Sequence, residues 1–232
     1  MRLILVLLLL ACAAPAQVAR AGTNCTGTTS CTPTNAIGDL QLAFAFRDGS
    51  QTAPTVPAGW TSAGTASING TSSADSAAVL ACKISTSANE ASGTFTNANS
   101  LVIMIYSGVG GTTANCNTVS IGTPSFFTST VNTTTTTETF NSLTNGSATS
   151  WVIGFGGCSA CTAGIGTAPT GMSNRSAHSS GTPPSTGGHD TNGAVASFTT
   201  ANVTLTTAGR IITAVVEVKA AALGRPRRVY VY

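Results

Sequence analysis

Three stretches of the chain alternate between apolar and small or polar residues with a period of two. They are residues 40–47, 77–84 and 210–218. In the first, every second residue is a leucine or a phenylalanine. Because successive side chains of a strand point to opposite faces, this pattern predicts strands with one buried face. Outside the first twenty residues no segment keeps a helical period, so we expect an all-β fold.

Charged residues are scarce, and this limits both the fold and the partners. They make up 7% of the 232 residues, against about 25% in an ordinary globular protein. Threonine, serine, alanine, glycine and asparagine replace them, which disfavours helices and suits strands and turns. The net charge is only +3, and the one basic cluster is Arg225, Arg227 and Arg228. We therefore expect no nucleic-acid partner, since such binding needs a broad basic surface.

The strands predict one domain, a single antiparallel β-sandwich of jelly-roll type with about eight to ten strands. We place it at residues 36–222, after a lead-in loop at 22–35 and before a C-terminal tail or edge strand at 223–232. The apolar stretch LVIMIY is expected to be a central strand and GTFT a short one. The stretch STGGHDTNG is expected to be a glycine-rich loop, and NTTTTTET an edge strand or an O-glycosylated loop.

Residues 1–21 have the pattern of an export signal: Arg2, the apolar run LILVLLLLA and small residues after it. Cleavage after Ala16 or after Ala21 would each complete an Ala-x-Ala motif. The alternative is the lipoprotein-like box LLAC, with Cys12 acylated. We expect a secreted or cell-surface protein that meets a membrane only if Cys12 carries lipid.

Six cysteines remain beyond Cys12, and an even number in an exported chain favours disulfides. They are Cys25, Cys31, Cys82, Cys116, Cys158 and Cys161. Proximity in the sequence suggests Cys25–Cys31 and Cys158–Cys161. Cys82 and Cys116 would then form a third pair or stay as buried thiols.

The two halves of the chain share a weak repeat. Asp39 precedes Pro57 by the same 18 residues that separate Trp151 from Pro169. PAGWTS then corresponds to PTGMSN, with Trp60 matched to Met172. The repeat predicts two four-stranded units that pack face to face.

The polar residues do not assemble into a recognisable catalytic motif. A Ser-His-Asp triad lacks a Gly-x-Ser-x-Gly elbow, and His178 and His189 are expected to be solvated loop residues. Cys158, Cys161 and the two histidines could be drawn as a zinc site, but the His-x10-His spacing is wide for zinc. We expect no catalytic residue, no metal site and no cofactor.

Trp60 and Asp190 are the candidate binding residues. Trp60 follows a Pro-Ala-Gly corner, where its ring can cover one end of the core; we expect this structural role, with sugar stacking as the alternative. Asp190 lies beside His189 in the glycine-rich stretch. Asp39 has a structural interpretation, because a carboxylate at a strand entrance accepts N–H bonds from a turn.

GDLQLAFAF, PAGWTS, AAVLACKI and GTFTNANSLVIMIYSGV together resemble β-sandwich proteins of tailed phages and bacterial surfaces. The similarity covers about residues 36–110, and 148–220 more loosely. It implies a structural or surface-binding module without catalysis. The export signal and the six cysteines depart from what a virion protein needs.

Three functions follow as expectations. The first is a non-catalytic exported surface module, structural or adhesive, that binds a glycan or a cell-surface protein. The second is a phage virion or tail subunit that associates with its own copies. The third is a secreted hydrolase.

Overall fold

The structure is a computed structural model that describes residues 17–70, 75–130, 133–161, 165, 167–178 and 183–222. These residues form antiparallel strands and one short helix, which confirms the all-β class. The jelly-roll arrangement stays a prediction. The C-terminal segment 223–232 and Cys12 lie outside the described residues.

The first half of the chain forms one sheet. Its strands are β1 (Ala19–Arg20), β2 (Cys25–Gly27), β3 (Leu40–Asp48), β4 (Thr61–Ile68), β5 (Ser76–Ile84) and β6 (Ser100–Ser107). Their order is β1-β6-β3-β5-β4, and β2 also pairs with β6. The predicted lead-in loop thus contains a strand, and the predicted strand GTFT is wrong, because Thr96 makes only an isolated bridge to Thr55.

The second half forms the other large sheet and two small ones. Its elements are η1 (Thr113–Asn115), α1 (Cys116–Val119), β7 (Ser125–Thr128), β8 (Thr135–Phe140), β9 (Leu143–Thr144), β10 (Trp151–Cys158), β11 (Ser173–His178), β12 (Ser185–Asp190), β13 (Ser197–Phe198), β14 (Ala201–Gly209) and β15 (Ile211–Val218). The large sheet has the order β11-β12-β10-β15-β7, while β8 pairs with β14 and β9 with β13. The described strands outnumber the predicted eight to ten, because short edge strands and polar strands such as β8 and β12 lack clear alternation.

One apolar cluster joins the two large sheets. It contains the alternating leucines and phenylalanines of β3 and the isoleucine, alanine and two valines on one face of β15. The ring of Phe44 stacks on that of Phe155 with centroids 5.7 Å apart. The predicted inward face of residues 211–218 is therefore the one that meets the first sheet.

The outer faces of both sheets are covered as well, which the alternation did not predict. Loop residues such as Phe95 and Ala98 cover the outer face of the first sheet. The β8–β14 ribbon covers the outer face of the second through Phe140 and Val203. Glu217, which points away from the inter-sheet core, is consequently only 5% exposed.

The two sheets repeat one strand order. The run β6-β3-β5-β4 in the first sheet corresponds to β15-β10-β12-β11 in the second. In each sheet, the strand that comes first in the chain (β3 or β10) leads through a corner to the edge strand (β4 or β11). The next strand (β5 or β12) returns between these two, and the last strand (β6 or β15) pairs with the other side of the first. The registers match too: Cys82 pairs with Leu42 and Thr61, and Asp190 pairs with Ile153 and Ser173.

Both Pro-x-Gly corners have the same geometry. The amide of Trp60 donates to the carbonyl of Pro57 at 3.2 Å, and that of Met172 to Pro169 at 3.0 Å. Gly59 and Gly171 have φ of +80° and +87°, a region that L side chains rarely enter. Each edge strand then has a register shift, between Ser62 and Gly64 in β4 and between Asn174 and Ser176 in β11.

Three disulfides are present, and two of them close the cysteine pairs that proximity suggested. They join Cys25 to Cys31, Cys82 to Cys116 and Cys158 to Cys161. Cys82 and Cys116 were expected either to form a third disulfide or to stay as buried thiols, and the structure shows the disulfide. Three disulfides are typical of proteins from an oxidising, extracellular environment.

Candidate functional site

A buried ionic cluster lies at one end of the second sheet. Asp190 is completely buried, and Arg175 donates to its Oδ1 at 2.7 Å. The hydroxyl of Tyr106 donates to Oδ2 at 3.1 Å, and Nε of Arg20 lies 4.0 Å from the same oxygen. The amide of Asn192 also donates to Oδ1, at 2.9 Å. A buried carboxylate needs such partners, because an unpaired one would be costly.

The strands bring these groups together from distant parts of the sequence. Arg20 in β1 pairs across the ladder with Tyr106 in β6, and Asp190 ends β12. Arg175 occupies the register shift of β11, and such a bulge turns a side chain away from its regular direction. Burial, together with the negative charge of Asp190, raises the pKa of Tyr106 well above its usual value. The phenol therefore stays protonated and keeps donating to the carboxylate.

A small open cavity of about 190 Å³ lies beside this cluster. It is lined by Gln17, Val18, Thr149, Trp151, Gly193 and Ala194. Trp151 is half-buried, and its ring meets that of Tyr106 edge to face at 6.1 Å. The ionic cluster thus supports the tryptophan from behind, while part of its ring stays open to solvent. We call this cavity the Trp151 pocket.

The cluster is a departure from the internal repeat. In the first sheet the position of Asp190 is taken by Cys82, whose partner is Cys116 of α1. One end of the molecule is therefore closed by a disulfide, whereas the corresponding position in the second sheet holds an ion pair beside the pocket. Buried ion pairs are poor stabilisers compared with apolar packing, so this difference marks the Trp151 pocket as the candidate site.

No known protein family, curated protein or solved structure matches the chain.

Trp60 and Asp190 do not come together. Trp60 lies on the outer face of the first sheet, is 8% exposed, and donates its indole N–H to the carbonyl of Ser92 at 2.7 Å. Its ring packs edge to face on Phe95 at 5.2 Å, and Nζ of Lys83 lies 5.8 Å above it. This placement supports a packing role. Asp190 is a strand residue with no exposed surface, so a ligand at the surface would meet Trp151 instead.

In the sequence, Trp151 served only to align the internal repeat, and no binding role was predicted for it. It lies at the first position of β10, however, where the strand emerges from the core. The sequence signal that could have found Trp151 is the rarity of tryptophan. The chain has two, and Trp60 is already explained by its Pro-Ala-Gly corner.

A second polar pair lies buried under the β8–β14 ribbon. His189 is a fully buried residue of β12, so its prediction as a solvated loop histidine is wrong. Glu138 of β8 is also fully buried. Neither side chain has a hydrogen-bond partner among the described residues. Burial raises the pKa of Glu138 well above its usual value and lowers that of His189 to about 4.

The glycines of WVIGFGGC explain how closely the β8–β14 ribbon covers the second sheet. A Cβ on Gly156 would lie 1.7 Å from Oε1 of Glu138, and one on Gly154 would lie 3.1 Å from the ring of Phe140. The ribbon therefore packs directly on the strand backbone. In STGGHD, a Cβ on Gly187 would lie 2.5 Å from the carbonyl oxygen of Ile165, and one on Gly188 would lie 2.4 Å from Sδ of Met104. Glycine there indicates close packing on both faces of a strand, not a loop, and this is why the sequence prediction was wrong there.

The remaining predicted ligands serve other roles. Cys158 and Cys161 are bonded to each other, and His178 accepts from or donates to Ser100 at 2.9 Å. Within the described ranges, no group of three histidine, cysteine or acidic side chains could hold a metal ion. Asp39 accepts from the amide of Ala36 at 2.8 Å, which confirms its turn-capping role. No helix in the described part of the chain is long and apolar enough to cross a membrane.

Proposed function

We propose that the protein is an exported, non-catalytic surface module that binds a sugar in the Trp151 pocket. The observation that carries the proposal is a half-buried tryptophan that lines an open cavity and is supported from behind by the buried ionic cluster. Aromatic rings combine a large apolar face with a fixed orientation. The apolar C–H face of a sugar ring is a suitable partner for such a surface.

The size and chemistry of the pocket support a small neutral ligand. Its volume of about 190 Å³ is below the 300–1,000 Å³ usual for drug-sized ligands, and this matches one sugar ring better than an extended chain. Gln17 and Thr149 supply amide and hydroxyl groups that can bond to sugar hydroxyls. None of the six lining side chains is ionisable, so they offer a sugar hydrogen bonds and apolar contact rather than a counter-charge.

The three disulfides support export to a cell surface or the extracellular medium. Disulfides of this number persist in oxidising compartments. The low content of charge suits a packed, threonine-rich surface module. This function is also the one that the similarity to phage and bacterial surface proteins implied.

The chain is well suited to a fluorescence test, because it contains only two tryptophans. In Trp60→Phe, all indole emission comes from Trp151. We expect a sugar found by glycan-array screening to shift or quench this emission in a saturable way. Trp151→Ala should lose array binding, while Trp60→Phe should keep it. Array binding that survives in Trp151→Ala would contradict the proposal.

A further inference from the structure

We propose that the mature chain begins at Gln17, so that its new amino terminus forms one wall of the Trp151 pocket. The inference rests on the proposed export and adds the position of processing. The sequence offers two Ala-x-Ala motifs, ending at Ala16 and at Ala21, and export peptidases cut after such small residues. The structure of residues 17–21 distinguishes between the two.

Residues 17–21 are part of the first sheet. Ala19 pairs with Ser107 and Arg20 with Tyr106 along the edge of β6. The amide of Ala21 donates to the carbonyl of Ile105 at 3.1 Å. Cleavage after Ala21 would remove this edge strand, whereas cleavage after Ala16 leaves it complete.

Side chains of the same segment enter the core and the ionic cluster. Val18 is only 3% exposed and belongs to the cluster that joins the two large sheets. Arg20 is the second cation near Asp190, after Arg175. A leader that is discarded after export has no reason to contribute a core residue and a counter-ion to the mature fold.

The backbone at Gln17 is also fitted to its neighbour. Gly108 has a φ of +73°, and a Cβ at that position would lie 1.9 Å from the carbonyl oxygen of Gln17. Only a glycine allows these two backbone segments to approach so closely. Gln17 and Val18 provide two of the six residues that line the Trp151 pocket. A chain that began at Gly22 would therefore have an incomplete pocket.

The step itself is a simple hydrolysis by the export peptidase. Water cleaves the peptide bond between Ala16 and Gln17: the carbonyl carbon of Ala16 receives the hydroxyl and the nitrogen of Gln17 receives the proton. The carboxylic acid then passes its proton to the amine, so the products are a carboxylate at Ala16 and an ammonium group at Gln17. No oxidant, reductant or cofactor is needed.

The test is intact-mass and amino-terminal analysis of the full-length gene product recovered from the exported fraction. We expect the mass of residues 17–232. A product that begins at Gly22, or an acylated product that begins at Cys12, would overturn the inference and leave export intact. A product that retains Met1 would overturn the proposed export as well. The two failures are therefore distinguishable.

Two matched variants of the full chain locate the cut independently. Ala16→Leu places a large residue before the proposed bond, and we expect the exported product starting at Gln17 to be lost. Ala21→Leu changes the competing motif in the same way, and its product should still start at Gln17. The reverse pattern would show that the second motif is the one used, and would contradict the inference.

Discussion

The ring of Phe44 lies flat against the ring of Phe155, with centroids 5.7 Å apart and planes inclined by 6°. Phe44 pairs with Leu80 and Phe155 with Gly188, two residues before Cys82 and Asp190, so the two phenylalanines hold equivalent positions in the two repeats. Contact between equivalent residues is what an approximate twofold relation between the sheets produces. The pair therefore marks the centre of the shared core.

We expect each of Phe44→Leu and Phe155→Leu to destabilise the fold, and their effects to be non-additive. A direct aromatic pair contributes about 0.5–1.5 kcal/mol beyond area burial, and residues in contact show coupling of this kind. Urea denaturation of the two single variants and the double variant measures it. Phe95→Leu, combined with either, serves as the control, because Phe95 packs on the outer face. Additive free energies for the Phe44 and Phe155 pair would contradict the assignment.

Trp60→Ala should lower the free energy of unfolding by about 3–5 kcal/mol, the usual cost of truncating a large buried aromatic residue. Trp60→Phe retains much of the contact with Phe95 but loses the bond to Ser92, which costs about 0.5–1.5 kcal/mol. Thermal melts of both variants compare the cost of losing the packed ring with the cost of losing the hydrogen bond to Ser92. An unchanged melting temperature in Trp60→Ala would instead make this residue a candidate for sugar stacking.

Gly156→Ala should disturb the β8–β14 ribbon, because the added methyl group would overlap the carboxyl of Glu138. Overpacking of this kind costs about 1–3 kcal/mol. Gly146→Ala is the matched control: its added carbon would meet Glu217 only at 3.7 Å, an ordinary contact. The double variant Gly156→Ala/Glu138→Ala should recover stability, as judged by urea midpoints. If it remains as unstable as Gly156→Ala alone, the clash lies elsewhere.

Stability should fall as the pH rises above about 6.5, and Glu138 should cause much of the fall. Burial raises the pKa of Glu138 in the folded state, so the folded protein holds a proton that the unfolded chain releases above its ordinary value near 4.5. The slope is about 1.4 kcal/mol per pH unit for one such group. This fall in stability ends where the pH reaches the raised pKa of Glu138 in the folded protein.

His189 changes the stability in the opposite direction, and over a different pH range. Its folded pKa is lowered to about 4 from 6.5, so stability falls as the pH drops between these two values. From about 4.5 to 6.5 the two groups act in opposite directions, and above 6.5 only Glu138 of these two still contributes, up to its raised folded pKa. Unfolding free energies measured from pH 6.5 to 8.5 should fall less steeply in Glu138→Gln than in the natural chain.

Glu90→Gln provides the control for this pH series. Burial acts to raise the pKa of Glu90, but hydrogen bonds from Lys83 and Thr86 and the charge of Lys83 hold that pKa below its usual value. Its contribution is complete above pH 4.5 and is lost at lower pH. The slope above pH 6.5 should therefore be unchanged in Glu90→Gln. Equal slopes in the natural chain and in Glu138→Gln would contradict the buried, protonated carboxyl.

The sequence alone determined the features that depend on short-range chemistry. The period of two placed β3, β5 and β15, because side chains on a strand alternate whatever lies beyond them. Cysteine proximity suggested the pairs Cys25–Cys31 and Cys158–Cys161. The Pro-x-Gly corners followed from the fixed φ of proline and the freedom of glycine.

Only the tertiary structure decided which faces are covered and which residues from distant segments meet. The polar, glycine-rich STGGHD becomes a buried strand, since its glycines lie directly against Ile165 and Met104, while the glycines of the neighbouring strand β10 provide room for Glu138 and Phe140 of the β8–β14 ribbon. The Trp151 pocket depends on Gln17, Thr149 and Gly193, which are far apart in the chain. A periodic pattern reports that one face is apolar, but it carries no information about the layer that packs on the other face. That layer is set by long-range pairing, and it determines the burial of His189.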